Sequence, residues 1–200
     1  MWGLTDDLLD LAECYIGLPP RYLGVEVKRE ILNPAAGHSH EAVRRWHLDH
    51  EDRRILKVIV YRCDVDCGSA PFEYVDVATS EAVLGGRSHA YHRARLDEIV
   101  RARVPPHKRR QVVGPRMTAI YVDTGRVLHR VCPPLESERY SVTFAYCGRS
   151  PHLTYSQLML PGAALRKLRQ DLSPRQWEAL CRKDLSLPHA QRTPRTPVGA

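Results

Sequence analysis

The sequence has no C-x-x-C pair, no apolar run near the ~18 residues of a membrane-spanning helix, and very little lysine. The first absence argues against a zinc knuckle. Cys14, Cys63, Cys67, Cys132, Cys147 and Cys181 are accordingly expected to be reduced thiols in a reducing compartment. The second absence, with Asp6, Asp7 and Asp10 standing where an export signal would carry positive charge, leads to the expectation of a cytoplasmic chain with no membrane partner. The scarcity of lysine means that the net charge of +7, from 30 basic and 23 acidic residues, is carried almost entirely by arginine. Only Lys28, Lys57, Lys108, Lys167 and Lys183 are lysines. That balance suits an anionic substrate or co-substrate, and equally a plain basic surface.

A chain of 200 residues is long enough for one domain with a full core. No internal repeat is evident. The expected domain runs from 1 to 185, and the following SLPHAQRTPRTPVGA has too little apolar content to pack, so 186–200 is expected to be a disordered tail.

Thr5 reads as an N-cap, with Asp6 and Asp7 complementing the helix dipole and Leu8, Leu9, Ala12 and Ile16 forming an apolar stripe that ends near Gly17. Strand-like segments follow at 25–31, 55–65, 72–77, 111–113, 118–123, 127–131 and 140–146, rich in β-branched and aromatic residues. Between them, 93–103 places Leu96, Ile99 and Val100 on one helical face. Ser173-Pro174-Arg175-Gln176 reads as a capping box opening a helix with Trp177, Leu180 and Cys181 on its apolar side. Short strands with helices mainly at the ends predict a mainly β fold with flanking α-helices, a double-sheet jelly roll.

In Trp46-His47-Leu48-Asp49 the histidine and the aspartate are two apart, so on a strand both side chains leave the same face and can grip one ion. The best third ligand is His129, beyond a Thr124-Gly125 turn between two apolar strands. Two imidazoles and one carboxylate form the facial triad that leaves positions open on non-haem iron(II). Ten residues further on, Arg139 and Ser141 share a strand face with Thr143. A guanidinium fork and a hydroxyl there can cradle the far carboxylate of 2-oxoglutarate.

Taken together, WHLDHEDRRILKVIVYRCDVDCGSAPFEYV and IYVDTGRVLHRVCPPLESERYSVTFAY resemble the W-H-x-D stretch and the distal-histidine stretch of the phytanoyl-CoA dioxygenase-like family of iron(II)/2-oxoglutarate-dependent oxygenases. The resemblance spans roughly 17–146. It implies a double-stranded β-helix (cupin-like jelly roll) and, as cofactor and co-substrates, Fe(II), 2-oxoglutarate and O2. The implied reaction hydroxylates a small organic metabolite while 2-oxoglutarate is decarboxylated to succinate. His47, Asp49 and His129 take the metal and catalytic roles, and Arg139 and Ser141 the 2-oxoglutarate role. The expected partner is a small molecule, anionic or carrier-linked as the basic charge balance suits, with no nucleic acid expected. Two departures stand out: the chain is short before His47, and PFEYVDVATSEA lacks the family's P-G-S-H-like loop.

Other readings compete with these. A non-catalytic jelly-roll module or accessory subunit that retains the ligand residues is the alternative function. A second H-x-D copy, His50 and Asp52, reads better as a loop or as hydrogen-bonding support for the ligands. His89 and His92 have a spacing that zinc uses if cysteines join them, but surface histidines are the plainer reading. Arg101, Arg103, His107, Lys108, Arg109 and Arg110 form one dense basic patch without interleaved aromatics, for which a solvated loop is the default reading and a site for a phosphate, an acyl-carrier group or nucleic acid the alternative. Lys57 either approaches the co-substrate or points to water.

Overall fold

The computed structural model describes residues 2–32, 44–85, 93–151 and 162–180. The tail at 186–200, Cys181, His89 and His92 lie outside the described residues.

The first helix, α1 (Asp6–Ile16), begins after an extended Thr5 and stops at Gly17. There the backbone turns left-handed at φ 82°, and the Gly17 N–H closes onto the Glu13 carbonyl. Glycine reaches that conformation without a Cβ penalty, and Pro19-Pro20 bar any continuation.

Seven strands follow among the described residues: β1 (Arg21–Glu30), β2 (Leu56–Tyr61), β3 (Phe72–Tyr74), β4 (Arg110–Val112), β5 (Ala119–Asp123), β6 (His129–Val131) and β7 (Arg139–Cys147). They pair antiparallel in two sheets, ordered β1-β7-β2-β5 and β4-β3-β6. His47 bridges to His129 on the side of β6 away from β3, so the 46–49 segment extends the smaller sheet. The segment expected to be a strand is therefore an extended run joined through a single bridge. Along the chain, most connections carry the backbone from one sheet to the other, which is the double-sheet jelly roll the strand pattern predicted.

Between the sheets, Ile59, Tyr61 and Ile120 of the larger sheet pack with Phe72 of the smaller one. The Tyr61 hydroxyl accepts from the Phe72 N–H (3.0 Å) and donates to the Val112 carbonyl (2.9 Å), joining the two layers. Outside the larger sheet, Leu9, Ala12 and Ile16 of α1 pack with Leu56, Val58, Phe144 and Tyr146. The carboxyl-terminal helix of the described chain, Pro174–Leu180, adds Ala179 and Leu180 to this cluster. Its capping box forms in both directions: the Ser173 hydroxyl accepts from the Gln176 N–H, and the Gln176 side chain accepts from the Ser173 N–H.

The strand expected over 72–77 stops at Tyr74. Asp76 accepts the Thr79 N–H at 2.8 Å and so caps a helix, α2 (Val77–Leu84), where the sequence reading continued the strand. The next helix, α3 (Arg93–Arg103), falls where the apolar stripe placed it, with Leu96 and Val100 fully buried. Helices α2 and α3 pack together around Trp46, Leu48, Val75 and Leu128. A short helix, α4 (Gly162–Leu168), precedes the carboxyl-terminal one, α5 (Pro174–Leu180).

Candidate metal centre

The alternation in Trp46-His47-Leu48-Asp49 is what builds the site. Trp46 and Leu48 enter the apolar cluster under α2 and α3, so His47 and Asp49 face the opposite way, into the space between the sheets. The Trp46 N–H donates to Asp97 of α3, and the Asp49 N–H donates to the Thr124 carbonyl at 2.9 Å. On the facing strand Leu128 joins the same apolar cluster, which turns His129 into the cavity.

His47, Asp49 and His129 are all buried, and their ligating atoms lie within 4.8 Å of one another. This is the single such cluster among the described residues. Nε2 of His47 is 3.9 Å from Asp49 Oδ1, and Nε2 of His129 is 3.9 Å from Asp49 Oδ2. The two imidazole centroids are 4.3 Å apart, and the Phe72 ring stacks against His129. Each Nδ1 faces a backbone carbonyl, His47 that of Arg45 (2.7 Å) and His129 that of Val127 (3.0 Å). A carbonyl only accepts, so each Nδ1 carries a proton and donates it there, which orients Nε2 as the nitrogen that faces Asp49.

Lys57 resolves its two sequence readings in favour of the cavity. Its Nζ lies 2.6 Å from Asp49 Oδ2, with both side chains nearly buried. Burial alone raises the carboxyl's affinity for a proton, but the ammonium of Lys57 and then the His129 and His47 imidazoles outweigh it and hold Asp49 well below the ordinary carboxylate range. Lys57 is displaced upward: burial disfavours its charge, and the contact with Asp49 more than offsets that.

Arg139 and Ser141 leave β7 on the same face as Thr143, as expected, and line the cavity with the three ligand residues. The cavity measures about 350 Å³. Arg139 is 3% exposed, its Nη1 donates to the Ala70 carbonyl (2.7 Å), and its guanidinium lies over the Tyr61 ring. Ala70 holds a left-handed φ of 54° there, a locally strained backbone that points its carbonyl at the guanidinium. Arg139 Nε and Ser141 Oγ are buried and have no hydrogen-bond partner among the described residues. Unmet donors of that kind are rare in a closed interior and mark a place for a polar ligand.

Sequence reasoning missed two cavity acids, Glu26 and Glu51, and a third, Glu30, buried beside Arg139. Glu30 sits at 2% exposure with Oε1 3.8 Å from Arg139 Nη2, Glu51 accepts the His50 N–H, and Glu26 pairs with Lys28 at 2.9 Å. Register explains the β1 pair and Glu30: Glu26, Lys28 and Glu30 lie opposite Thr143, Ser141 and Arg139, so the charged face of β1 is its inner one. The second H-x-D copy splits, because His50 lines the cavity whereas Asp52 accepts the Gly148 N–H and anchors the end of β7. The basic patch is partly spent within the fold. Arg101 pairs with Asp97, and the Arg109 guanidinium donates to the Val104 and Arg101 carbonyls at the end of α3. The cysteines among the described residues are all free thiols. No described helix is long and apolar enough to cross a membrane.

No protein-family model matches the chain, and no curated protein matches it by sequence. Solved structures do. The crystal structure of EctD from S. alaskensis with bound Fe matches with a TM-score of 0.51 and 15% identity, over 76% of this chain and 53% of that one. HygX from Streptomyces hygroscopicus with nickel and 2-oxoglutarate bound matches with a TM-score of 0.47 and 16% identity, over 74% of this chain and 65% of that one. The non-heme alpha ketoglutarate dependent epimerase SnoN matches with a TM-score of 0.49 and 17% identity, over 80% and 63%. The chain thus spans less than two thirds of the length of each. The EctD match, with the sheet order, defines the fold as a jelly roll of the cupin-like kind.

Proposed function

We propose that this chain is an iron(II)/2-oxoglutarate-dependent oxygenase that hydroxylates a small organic metabolite, akin to the phytanoyl-CoA dioxygenase-like enzymes its motifs resemble. One observation carries the reading: a buried His-Asp-His cluster whose two Nδ1 groups donate to backbone carbonyls shares a cavity with the unmet donors Arg139 Nε and Ser141 Oγ. EctD, of like fold, binds Fe, which supports the reading.

His47, Asp49 and His129 would hold the iron, and Arg139 with Ser141 would hold the far carboxylate of 2-oxoglutarate. When bound, these groups with O2 supply the oxidising power, 2-oxoglutarate being converted to succinate and carbon dioxide. The protein's own part is placement. The main-chain bridge fixes the two imidazoles, the apolar cluster under Trp46 fixes the HLD segment, and Ala70 and Tyr61 fix the guanidinium. Ile59, Phe72 and Val131 form the apolar wall that keeps water from the reacting centre. The arginine-rich surface suits an anionic or carrier-linked substrate, and the reading calls for neither a nucleic acid nor a membrane partner.

Anaerobic titration with iron(II) and 2-oxoglutarate tests this. The expected result is a metal-to-ligand charge-transfer absorption, followed by succinate formation when oxygen is admitted. Absence of both from the folded protein overturns the reading. The Lys57–Asp49 pair favours a second one, a non-catalytic jelly-roll module, since an ammonium satisfies the buried carboxylate without a metal. Folded protein that takes up no iron would favour that module.

A further inference from the structure

Lys57 enters the cavity from β2, where its neighbours across the sheet are Ala145 of β7 and Val122 of β5. Its ammonium reaches past them to Asp49 Oδ2, the oxygen that also faces His129, while Oδ1 faces His47. A cation held by the three ligands would therefore share its one carboxylate with a second, covalently attached cation. Charge at the ligand cluster is already balanced. Asp49 and Lys57 cancel, and the two imidazoles are neutral when Nε2 ligates and Nδ1–H donates to a carbonyl. The far end of the cavity is balanced too, with Arg139 beside the buried Glu30. Of the remaining charged groups, Glu26 pairs with Lys28, while Glu51 accepts the His50 N–H and leaves the lining with one negative charge in excess, too little to offset a divalent ion.

A divalent ion entering alone brings two positive charges next to an ammonium in a poorly solvated site, where charges interact far more strongly than in water. A dianion bound beside it removes that excess. We infer that Lys57 couples the two binding events, so that the site holds a divalent metal weakly alone and tightly together with a dicarboxylate. This rests on the iron/2-oxoglutarate reading and adds to it a positioning residue. The coupling is reciprocal, as linkage requires: the diacid also binds weakly until the metal is present.

Manganese(II), which supports binding without turnover, is the probe. Its dissociation constant is measured by calorimetry or by electron paramagnetic resonance, with and without saturating 2-oxoglutarate. In the wild-type chain the diacid is expected to tighten manganese binding by about tenfold or more. In Lys57→Gln, which keeps a hydrogen-bond donor for Asp49 but removes the charge, manganese alone binds about tenfold more tightly than to wild type and the effect of the diacid falls toward unity. Lys57→Arg, which keeps the charge, retains the coupling. A residue that merely held Asp49 in place would weaken metal binding when removed, the opposite sign.

If Lys57→Gln binds the metal no more tightly than wild type, or leaves the effect of the diacid unchanged, the inference falls and the iron/2-oxoglutarate reading stands; if the wild-type chain binds manganese and 2-oxoglutarate independently, both fall. If the folded wild-type chain binds no divalent metal with or without the diacid, both fall. Lys57→Arg, which keeps the ammonium-like charge beside Asp49, decides the matter where Lys57→Gln is poorly folded: loss of the coupling in Lys57→Arg overturns the inference.

Discussion

His47 and His129 exchange both main-chain hydrogen bonds, His47 N–H to the His129 carbonyl at 3.0 Å and His129 N–H to the His47 carbonyl at 3.1 Å. Directly opposed residues of an antiparallel pair project their side chains to the same side, so two imidazoles far apart in sequence emerge next to each other. Their spacing is thereby a property of the backbone. Asp49 follows two residues later on the same side, and its own N–H is fixed to Thr124.

Because the main chain makes the bridge, removing either ring leaves the scaffold intact. His47→Ala and His129→Ala are each expected to fold, with an unchanged far-ultraviolet dichroism spectrum, while losing metal affinity by more than about 100-fold, beyond the range seen when only a supporting hydrogen bond is removed. Anaerobic iron(II) calorimetry measures this. Retention of near-wild-type affinity in His129→Ala would remove that residue from the metal site.

Arg139 separates diacid binding from metal binding. A charge-assisted hydrogen bond contributes about 1.5–3 kcal/mol, so Arg139→Met should raise the 2-oxoglutarate dissociation constant by about 10- to 100-fold, and Ser141→Ala by about 2- to 10-fold. Manganese(II) affinity without the diacid should change far less in both. An Arg139→Met chain with wild-type diacid affinity would show that the anchor lies elsewhere.

Much of this site was legible in the sequence because it follows two simple rules. Period-two alternation puts Trp46 and Leu48 on one side and His47 and Asp49 on the other, and the same parity carries Arg139, Ser141 and Thr143 along β7. What escaped detection depends on partners distant in the chain. The alternation of 25–31 does not say which face turns inward, and pairing with β7 turns Glu26, Lys28 and Glu30 inward and leaves Val25 and Val27 exposed. Helix α2 was hidden by Val75 and Val77, which look like strand. The local signal that outweighed them was Asp76 three residues before Thr79, an N-cap arrangement that the strand reading passed over.

The Lys57–Asp49 pair also has consequences for the metal-free fold. Removing one member of a buried ion pair strands the other, at a cost of about 3–5 kcal/mol, while removing both is far milder. Lys57→Met should therefore lower the urea midpoint of the metal-free chain markedly, and Asp49→Leu/Lys57→Met should recover most of the loss. Equal destabilisation in the single and double variants would mean that the two side chains do not act as a pair.

The cap of α2 offers a test of fold assignment that involves no ligand. Asp76 is held below the ordinary carboxylate range foremost by the Thr79 N–H, against a small opposing effect of burial and with further help from the Thr79 hydroxyl, Lys108 and Arg110. A carboxyl depressed in the folded state contributes stability that is fully present above its unfolded value, about pH 4, and is lost as the pH falls through the folded value. Asp76→Ala should therefore cost about 1 kcal/mol at neutral pH, as expected for loss of an N-cap. The difference from wild type should shrink in acid, where the wild-type carboxyl is itself protonated and accepts less strongly from Thr79. Asp76→Asn, whose amide oxygen accepts without titrating, should keep most of the stability and show a flatter response to pH. Urea unfolding at about pH 7 and about pH 3 measures all three. A deficit in Asp76→Ala that is the same at both values would assign it to something other than the ionised cap.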